Sequence, residues 1–190
     1  MPDIQTVALS HFNVNPRSLA LVAAIAALGF RNVLLCGGAL RDDYMGLADK
    51  ISDYDMVADF GTQPRPPDDM ARYVTQHLAD VTGMQLAPFP GEDPGTGLGA
   101  CPGMTLKFRQ AGKPVSLSLN ENCGPMAEWV TGDAPINSIA LHAGGTLLAH
   151  PLFEEHAKAR IYQPFSDIPP ARAKARLEHL QRKIAGLKMG

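Results

Sequence analysis

The hydrophobic pattern of this chain changes period several times, and each change predicts an element. Asn15-Pro16 is an N-cap followed by proline at the first helical position. The segment after it, SLALVAAIAALGF, is apolar all round until Gly29, which predicts a helix buried on most of its surface. Residues 31–36, RNVLLC, form a continuous apolar run that suits a strand covered on both faces. Gly37-Gly38 closes that run, and residues 39–47 read as a short helix. A further strand is expected over 54–58, then a proline-rich loop over 61–67. Asp68 is placed to cap a helix over 69–81 with Met70, Tyr73, Val74, His77 and Leu78 near one face.

Residues 87–103 are rich in Gly and Pro and read as a long surface loop. Residues 104–108 and 115–119 alternate in polarity on either side of Ala111-Gly112, a hairpin signature. That alternation turns Val115, Leu117 and Leu119 to the core and leaves Ser116, Ser118 and Asn120 on the other face. Another apolar pair, 137–141 and 146–148, surrounds Gly144-Gly145. The tail from Pro169 reads as a basic helix with Leu177, Leu180, Ile184 and Leu187 at three- and four-residue steps.

Composition narrows the class. At 190 residues, 45% apolar and a formal charge of −2, the chain is an ordinary globular protein with one sizeable core and no bulk bias towards nucleic acid. The N-terminus lacks a secretory pattern, and the longest apolar stretch, 19–30, is short against the ~20 residues that span a bilayer. A cytoplasmic protein without a membrane segment is expected. Cys36, Cys101 and Cys123 show neither CxxC nor zinc spacing, so they are expected to be free thiols, Cys36 as a small buried residue at a strand end.

The chemistry concentrates in 33–57, VLLCGGALRDDYMGLADKISDYDMV. Two glycines at a strand end let backbone N–H groups approach an anion with no Cβ between them, and triphosphate is the natural guest. Asp53 and Asp55 stand two apart at a strand start, so both carboxylates face one side with Tyr54 on the other. Two aligned carboxylates repel unless a cation lies between them, and hard oxygen ligands suit Mg²⁺ bridging to substrate phosphates. An isolated Asp-x-Asp is also what a solvated loop contains. Beside a glycine cradle, it points to two-metal phosphoryl transfer.

CGGALRD, then Gly46, then SDYDMVAD resembles the head domain of bacterial poly(A) polymerases and CCA-adding enzymes, with their G-G-x-V-R-D and D-x-D pattern. Downstream, DAPINSIALHAGG is similar to the family's R-R-D-F-T-I-N-A-L-A segment. The resemblance spans about 16–161 and is weak between 61 and 103. It implies an α/β nucleotidyltransferase fold related to DNA polymerase beta, with a central mixed sheet flanked by helices. It also implies a Mg²⁺ pair on Asp53 and Asp55 and a nucleoside triphosphate on Gly37 and Gly38. Arg41 and Asp42 match the family's Arg-Asp pair at the phosphate site, and Asn137 matches an asparagine near the nucleotide. Residues 1–168 are then the head domain, standing alone, and 169–190 the basic helix.

The departures from that pattern are specific. The strand expected to carry a third carboxylate offers Ser116, Ser118 and Asn120, with Glu121 just beyond it. The motif's two arginines fall on Thr131 and Gly132, although Asp133, Ile136 and Asn137 are retained. His150 stands where the family has Asp before proline and reads as a loop histidine. The lone Trp129 offers no stacking platform for bases. In the basic helix, Arg172, Lys174, Arg176, Arg182, Lys183 and Lys188 are candidates for RNA phosphates or form the solvated face of a packed helix. Two functions follow. One is a template-independent nucleotidyltransferase moving NMP from NTP to an acceptor hydroxyl, an RNA 3′ end. The other is a degenerate head domain binding nucleotide, RNA or protein without catalysis.

Overall fold

The computed structural model describes residues 4–6, 12–59, 67–88, 103–120 and 129–190. Among these residues the strands are β1 (Gln5–Thr6), β2 (Arg31–Cys36), β3 (Tyr54–Asp59), β4 (Val81–Pro88), β5 (Gly103–Gln110), β6 (Lys113–Asn120), β7 (Ile139–His142), β8 (Leu147–Ala149), β9 (Ile161–Tyr162) and β10 (Lys188–Met189). The α-helices are α1 (Pro16–Ala27), α2 (Gly38–Tyr44), α3 (Pro67–His77), α4 (Phe153–Ala159) and α5 (Pro170–Gln181). One large sheet has the order β1-β8-β7-β2-β3-β6-β5-β4, and β9 and β10 form a separate parallel pair. Within the large sheet β3 and β6 run parallel and the other pairs antiparallel. This is the mixed sheet that the resemblance implies.

The two faces of the sheet differ in chemistry. Val33, Leu35, Met56, Ala58, Leu106, Leu117 and Leu119 point to one side and join Leu21, Val22 and Ile25 of α1 and Met70, Val74 and Leu78 of α3 in the main core. The alternate residues point the other way, where Leu34, Val130 and Ala140 form a small separate cluster. Beside that cluster the second face is polar. In register across it lie Cys36, Asp55, Ser116 and Lys107.

Several elements differ from expectation. Helix α1 is capped by the Asn15 side chain as predicted, but only Ser18, Leu21, Val22 and Ile25 are buried and Leu19 is 43% exposed. Its alanines make one packed face look like an all-round apolar surface. Helix α3 stops at His77 rather than continuing to 81, because Asp80 takes a positive φ of 56° and the chain turns into a strand at Val81. That strand, β4, replaces the end of the expected helix and the start of the expected loop. Gly83, at φ 65°, lies within a register shift between Thr82 and Gln85, which hides the two-residue period. The short helix expected over 39–47 ends at Tyr44, with Gly46 at φ 73° in the following turn. Cys101, Cys123, Glu121, the proline-rich loop 61–66 and residues 89–102 lie outside the described residues, as does the side chain of Asp68.

The hairpin forms as expected, with Ala111 and Gly112 both at positive φ (48° and 78°) between the closing pair Gln110 and Lys113. Such a two-residue turn matches the twist of the flanking strands. Asn120 departs from its expected exposure. It is 1% exposed, and neither side-chain amide atom has a hydrogen-bond partner.

The tail is helical only to Gln181, after which a turn leads to β10 alongside β9. Ala173, Leu180, Ile184 and Leu187 enter the same core as the sheet residues, and Leu177 packs at its edge. The tail is therefore docked on the body of the protein.

Candidate functional site

Strand β2 delivers Cys36 and then turns sharply at Gly37, whose φ of 64° and ψ of −117° are strained for any residue with a Cβ. The Gly37 N–H donates to the Ile139 carbonyl at 2.7 Å, and the Gly37 carbonyl accepts from the Arg41 N–H at 3.0 Å. These bonds hold the turn from β2 into α2 against β7. Gly37 and Gly38 both line a cavity of about 690 Å³.

Arg41 and Asp42 do not reach into open space. Their side chains are 3% and 1% exposed, and Arg41 Nε and Nη2 both donate to Asp42 Oδ1, the former at 2.7 Å. Arg41 Nη1 donates to Asn137 Oδ1 at 2.6 Å, and Asn137 Nδ2 donates to Asp133 Oδ1 at 2.5 Å. Asp133 Oδ2 accepts from the Tyr162 hydroxyl at 3.1 Å and lies 3.4 Å from Arg176 Nε on α5. At the other end Lys183 Nζ is 3.6 Å from Asp42 Oδ2. A chain of polar groups thus runs from α5 through Asp133, Asn137, Arg41 and Asp42 and returns to the segment after α5. Burying the Arg41 guanidinium favours its neutral form, which lowers its pKa, and the charge and hydrogen bond of Asp42 oppose that shift. Arg41 and Asn137, the latter 4% exposed, are thus both buried members of this polar chain rather than surface groups.

Asp53 precedes β3 and Asp55 is its second residue; both are open to solvent while Tyr54 between them is buried. The predicted alternation therefore holds. Asp55 meets that solvent inside a concave wall of protein, and this partial desolvation raises its carboxyl above the usual range. The Asp53 charge raises it further, and Arg176 pulls it down. Asp53 Oδ1 accepts from the Ser52 hydroxyl at 2.5 Å, and Ser52 Oγ accepts from Lys183 Nζ at 2.9 Å. Ser116 pairs with Asp55 in the parallel register, which puts a hydroxyl beside that carboxylate on the same face. Among the described residues no group of three or more His, Cys, Asp or Glu side chains gathers as a metal site. Two like-charged carboxylates, one raised by desolvation and by its neighbour, nevertheless fit Mg²⁺, which binds through one or two carboxylates plus phosphate oxygens and water.

Asp55 also lines the 690 Å³ cavity, with Gly37, Gly38, Asn137 and the 129–133 segment. The remaining wall is the turn at Asp167 and Ile168 and then α5, through Arg172, Arg176 and His179. The direction in which these side chains point escapes sequence reasoning. Their step of four and three residues is legible, but not what the polar face of the helix meets. The six basic residues do not form one stripe: Lys183 turns to Asp42 and Ser52, while Lys174, Arg182 and Lys188 are exposed. Trp129 lines the cavity beside Thr131 and also packs against the Leu34 cluster. Gly132 leaves no space for a side chain, since a Cβ there would lie 2.7 Å from the Asn137 carbonyl oxygen. Cys36 is half-buried on the same wall, its thiol pushed up to about 12 by burial and then by the Asp55 charge, so it stays protonated. His150 is a loop histidine as expected, accepting from the Leu152 N–H through Nδ1 at 3.1 Å.

No family profile matches the sequence. No curated protein matches it either. Solved structures do. A CCA-adding enzyme in complex with CTP superposes with a TM-score of 0.61 at 17% identity, over 100% of this chain and 44% of that one. The Thermotoga maritima CCA-adding enzyme complexed with tRNA gives 0.61 at 16% identity, over 100% and 43%. The Bacillus stearothermophilus CCA-adding enzyme in complex with CTP gives 0.57 at 16% identity, over 93% and 42%. The chain has the nucleotidyltransferase fold and spans less than half the length of these enzymes. Among the described residues no helix is long and apolar enough to cross a membrane.

Proposed function

We propose that this chain is a nucleotidyltransferase that binds a nucleoside triphosphate in the 690 Å³ cavity and transfers its nucleoside monophosphate to an acceptor hydroxyl, an RNA 3′ end. The observation that carries this reading is that Gly37, Gly38, Asp55 and Asn137, drawn from separate parts of the sequence, line one cavity. Its volume lies within the ~300–1,000 Å³ of small-molecule sites.

In this reading Asp53 and Asp55 hold the Mg²⁺ of a two-ion site, completed by phosphate oxygens. Bound Mg²⁺ would neutralise phosphate charge and lower the pKa of the acceptor hydroxyl. The chain's own residues do the positioning. Gly37 and Gly38 admit the triphosphate close to the backbone. Asn137 sets the cavity wall through its bonds to Arg41 and Asp133. Arg41 and Asp42 act from behind that wall as a brace. Lys183 holds Ser52, and through it Asp53, in place. The exposed cations Lys174, Arg182 and Lys188 offer contacts to the phosphates of an RNA acceptor.

The test is incubation of radiolabelled NTP with Mg²⁺ and a mixed RNA pool, beside an Asp53→Ala, Asp55→Ala double variant. Label transfer by the natural sequence and not by the variant is expected. Binding of NTP without transfer to RNA, protein or a small acceptor would instead support a second reading, a nucleotide-binding module. Ser116 opposite Asp55 is the observation that favours that alternative.

A further inference from the structure

We infer that Arg172 and Arg176 of helix α5 form the polyphosphate clamp of the cavity, in place of arginines at positions 131 and 132, a role that rests on the reading of the cavity as a nucleotide site. Helix α5 docks through Ala173, Leu180 and the residues that follow it, which leaves Arg172, Arg176 and His179, four and three residues apart, on the cavity side.

Arg176 has capacity for an anion. Its Nε faces Asp133 Oδ2 at 3.4 Å without a hydrogen bond, that carboxylate oxygen already accepts from Tyr162, and the side chain as a whole is open, 41% exposed at the cavity. The helix also creates a positive field. His179 is kept below its usual pKa first by burial and then by Arg176, Lys183, Arg182 and Arg41. Arg172 and Arg176 line the same cavity as Asp55 and the glycine turn at Gly37 and Gly38. The carboxylates on the same walls are Asp55, the metal ligand of the proposed site, Asp133, already engaged, and Asp167. A polyphosphate lying between Asp55 and the helix would meet guanidinium groups, whose fork geometry suits phosphate oxygens.

The opposite wall does not supply this charge. Thr131 is neutral, and any side chain at Gly132 would collide with the Asn137 backbone. Among the described residues lining the cavity, the arginines all come from α5.

The experiment is isothermal titration of the full chain with inorganic tripolyphosphate at two salt concentrations, then with NTP. Arg172→Gln and Arg176→Gln are each expected to weaken tripolyphosphate binding about tenfold or more. The Arg172→Lys, Arg176→Lys double variant should recover much of the loss, and Arg72→Gln, exposed on α3 and outside the cavity, should bind as the natural sequence does. Because Arg176 also faces Asp133, Arg176→Gln is checked by thermal melting; Arg172, exposed at the helix start, keeps the test decisive if that variant unfolds. No tripolyphosphate binding by the natural sequence, or undiminished binding by the Arg172→Gln variant and by every folded Arg176 variant, overturns the clamp. Label transfer reads the other question separately. A clamp that binds without transfer overturns the transferase reading alone, and transfer with unchanged affinity in the glutamine variants overturns the clamp alone.

Discussion

Arg41 Nη1 lies 2.6 Å from Asn137 Oδ1 although 96 residues separate the two in sequence. The resemblance in sequence leads one to expect both at a nucleotide, yet here each satisfies the other, and Asp42 takes the rest of the Arg41 fork. The pair braces the glycine turn against the segment that carries Asn137. Removing one member strands a buried charge, so Arg41→Ala should cost about 3–5 kcal/mol of stability. Arg41→Lys should recover only part of it, because an ammonium does not reproduce the fork. Urea denaturation measures both. A loss under ~1 kcal/mol for the alanine variant would mean an ordinary exposed ion pair and would sink the bracing role.

Asp55 is expected to be unfavourable for stability and necessary for function. Its carboxylate is disfavoured by desolvation first and by Asp53 second. Asp55→Asn should therefore melt at a higher temperature in the absence of divalent ions. The same variant should lose any rise in melting temperature that Mg²⁺ gives the natural sequence. Label transfer should fall by about 10³-fold or more, since the metal's contribution is worth several kcal/mol. A lower melting temperature without metal would show that the carboxylate is a structural partner instead.

His156 supplies a pH prediction away from the cavity. It is 4% exposed on α4, its Nδ1 has no hydrogen-bond partner, and burial lowers its pKa below the usual 6.5 against a weaker opposing effect of Glu155. As pH falls through that value the unfolded chain takes up a proton that the folded chain resists. Its contribution is therefore intact above the unfolded pKa and is lost as pH falls towards the folded one. His156→Leu should narrow the gap between urea midpoints measured at about pH 7.5 and 5.5. An unchanged gap would show that other groups carry the acid sensitivity.

Positions 131 and 132 should respond differently to substitution. A Cβ at 132 would meet Asn137 backbone atoms at 2.7 and 3.0 Å, so even Gly132→Ala should cost about 1–3 kcal/mol. Thr131 is half-buried at the cavity wall, and Thr131→Arg should fold with little loss. Thermal melts of the two variants side by side provide the check. Equal stability would contradict the packing at Gly132.

Local relations in this arrangement are legible in the sequence, and the remainder is hidden for physical reasons. Asp53 and Asp55 can be placed on one side from a two-residue period, because that relation belongs to one strand. The position of Ser116 beside Asp55 depends on the register between strands, which no single segment encodes. Strand β4 is masked by the irregularity around Gly83, and the one-sided burial of α1 by its alanines. For α5, the leucine stripe shows which face is buried but not that Arg172 and Arg176 meet a cavity. The buried Arg41 and the orphaned Asn120 are tertiary facts that polarity alone predicts wrongly.

For the proposed transferase reading the position to test is Ser116, in register with Asp55 on the adjacent parallel strand. Neighbouring strands lie about 4.8 Å apart, so a carboxylate here would stand next to Asp55 on the same face. Lys107, paired with Ser116 from the other side, would offset part of the added repulsion. Ser116→Asp should therefore lower the melting temperature without divalent ions, because three carboxylates would then crowd one site. With Mg²⁺ the sign should reverse: the added hard oxygen ligand should tighten Mg²⁺ binding about tenfold and raise label transfer above that of the natural sequence. A thermal-shift titration with Mg²⁺ and the radiolabel assay read the two effects. If Mg²⁺ affinity does not change and the metal-free protein is not destabilised, Ser116 does not occupy the third-ligand position.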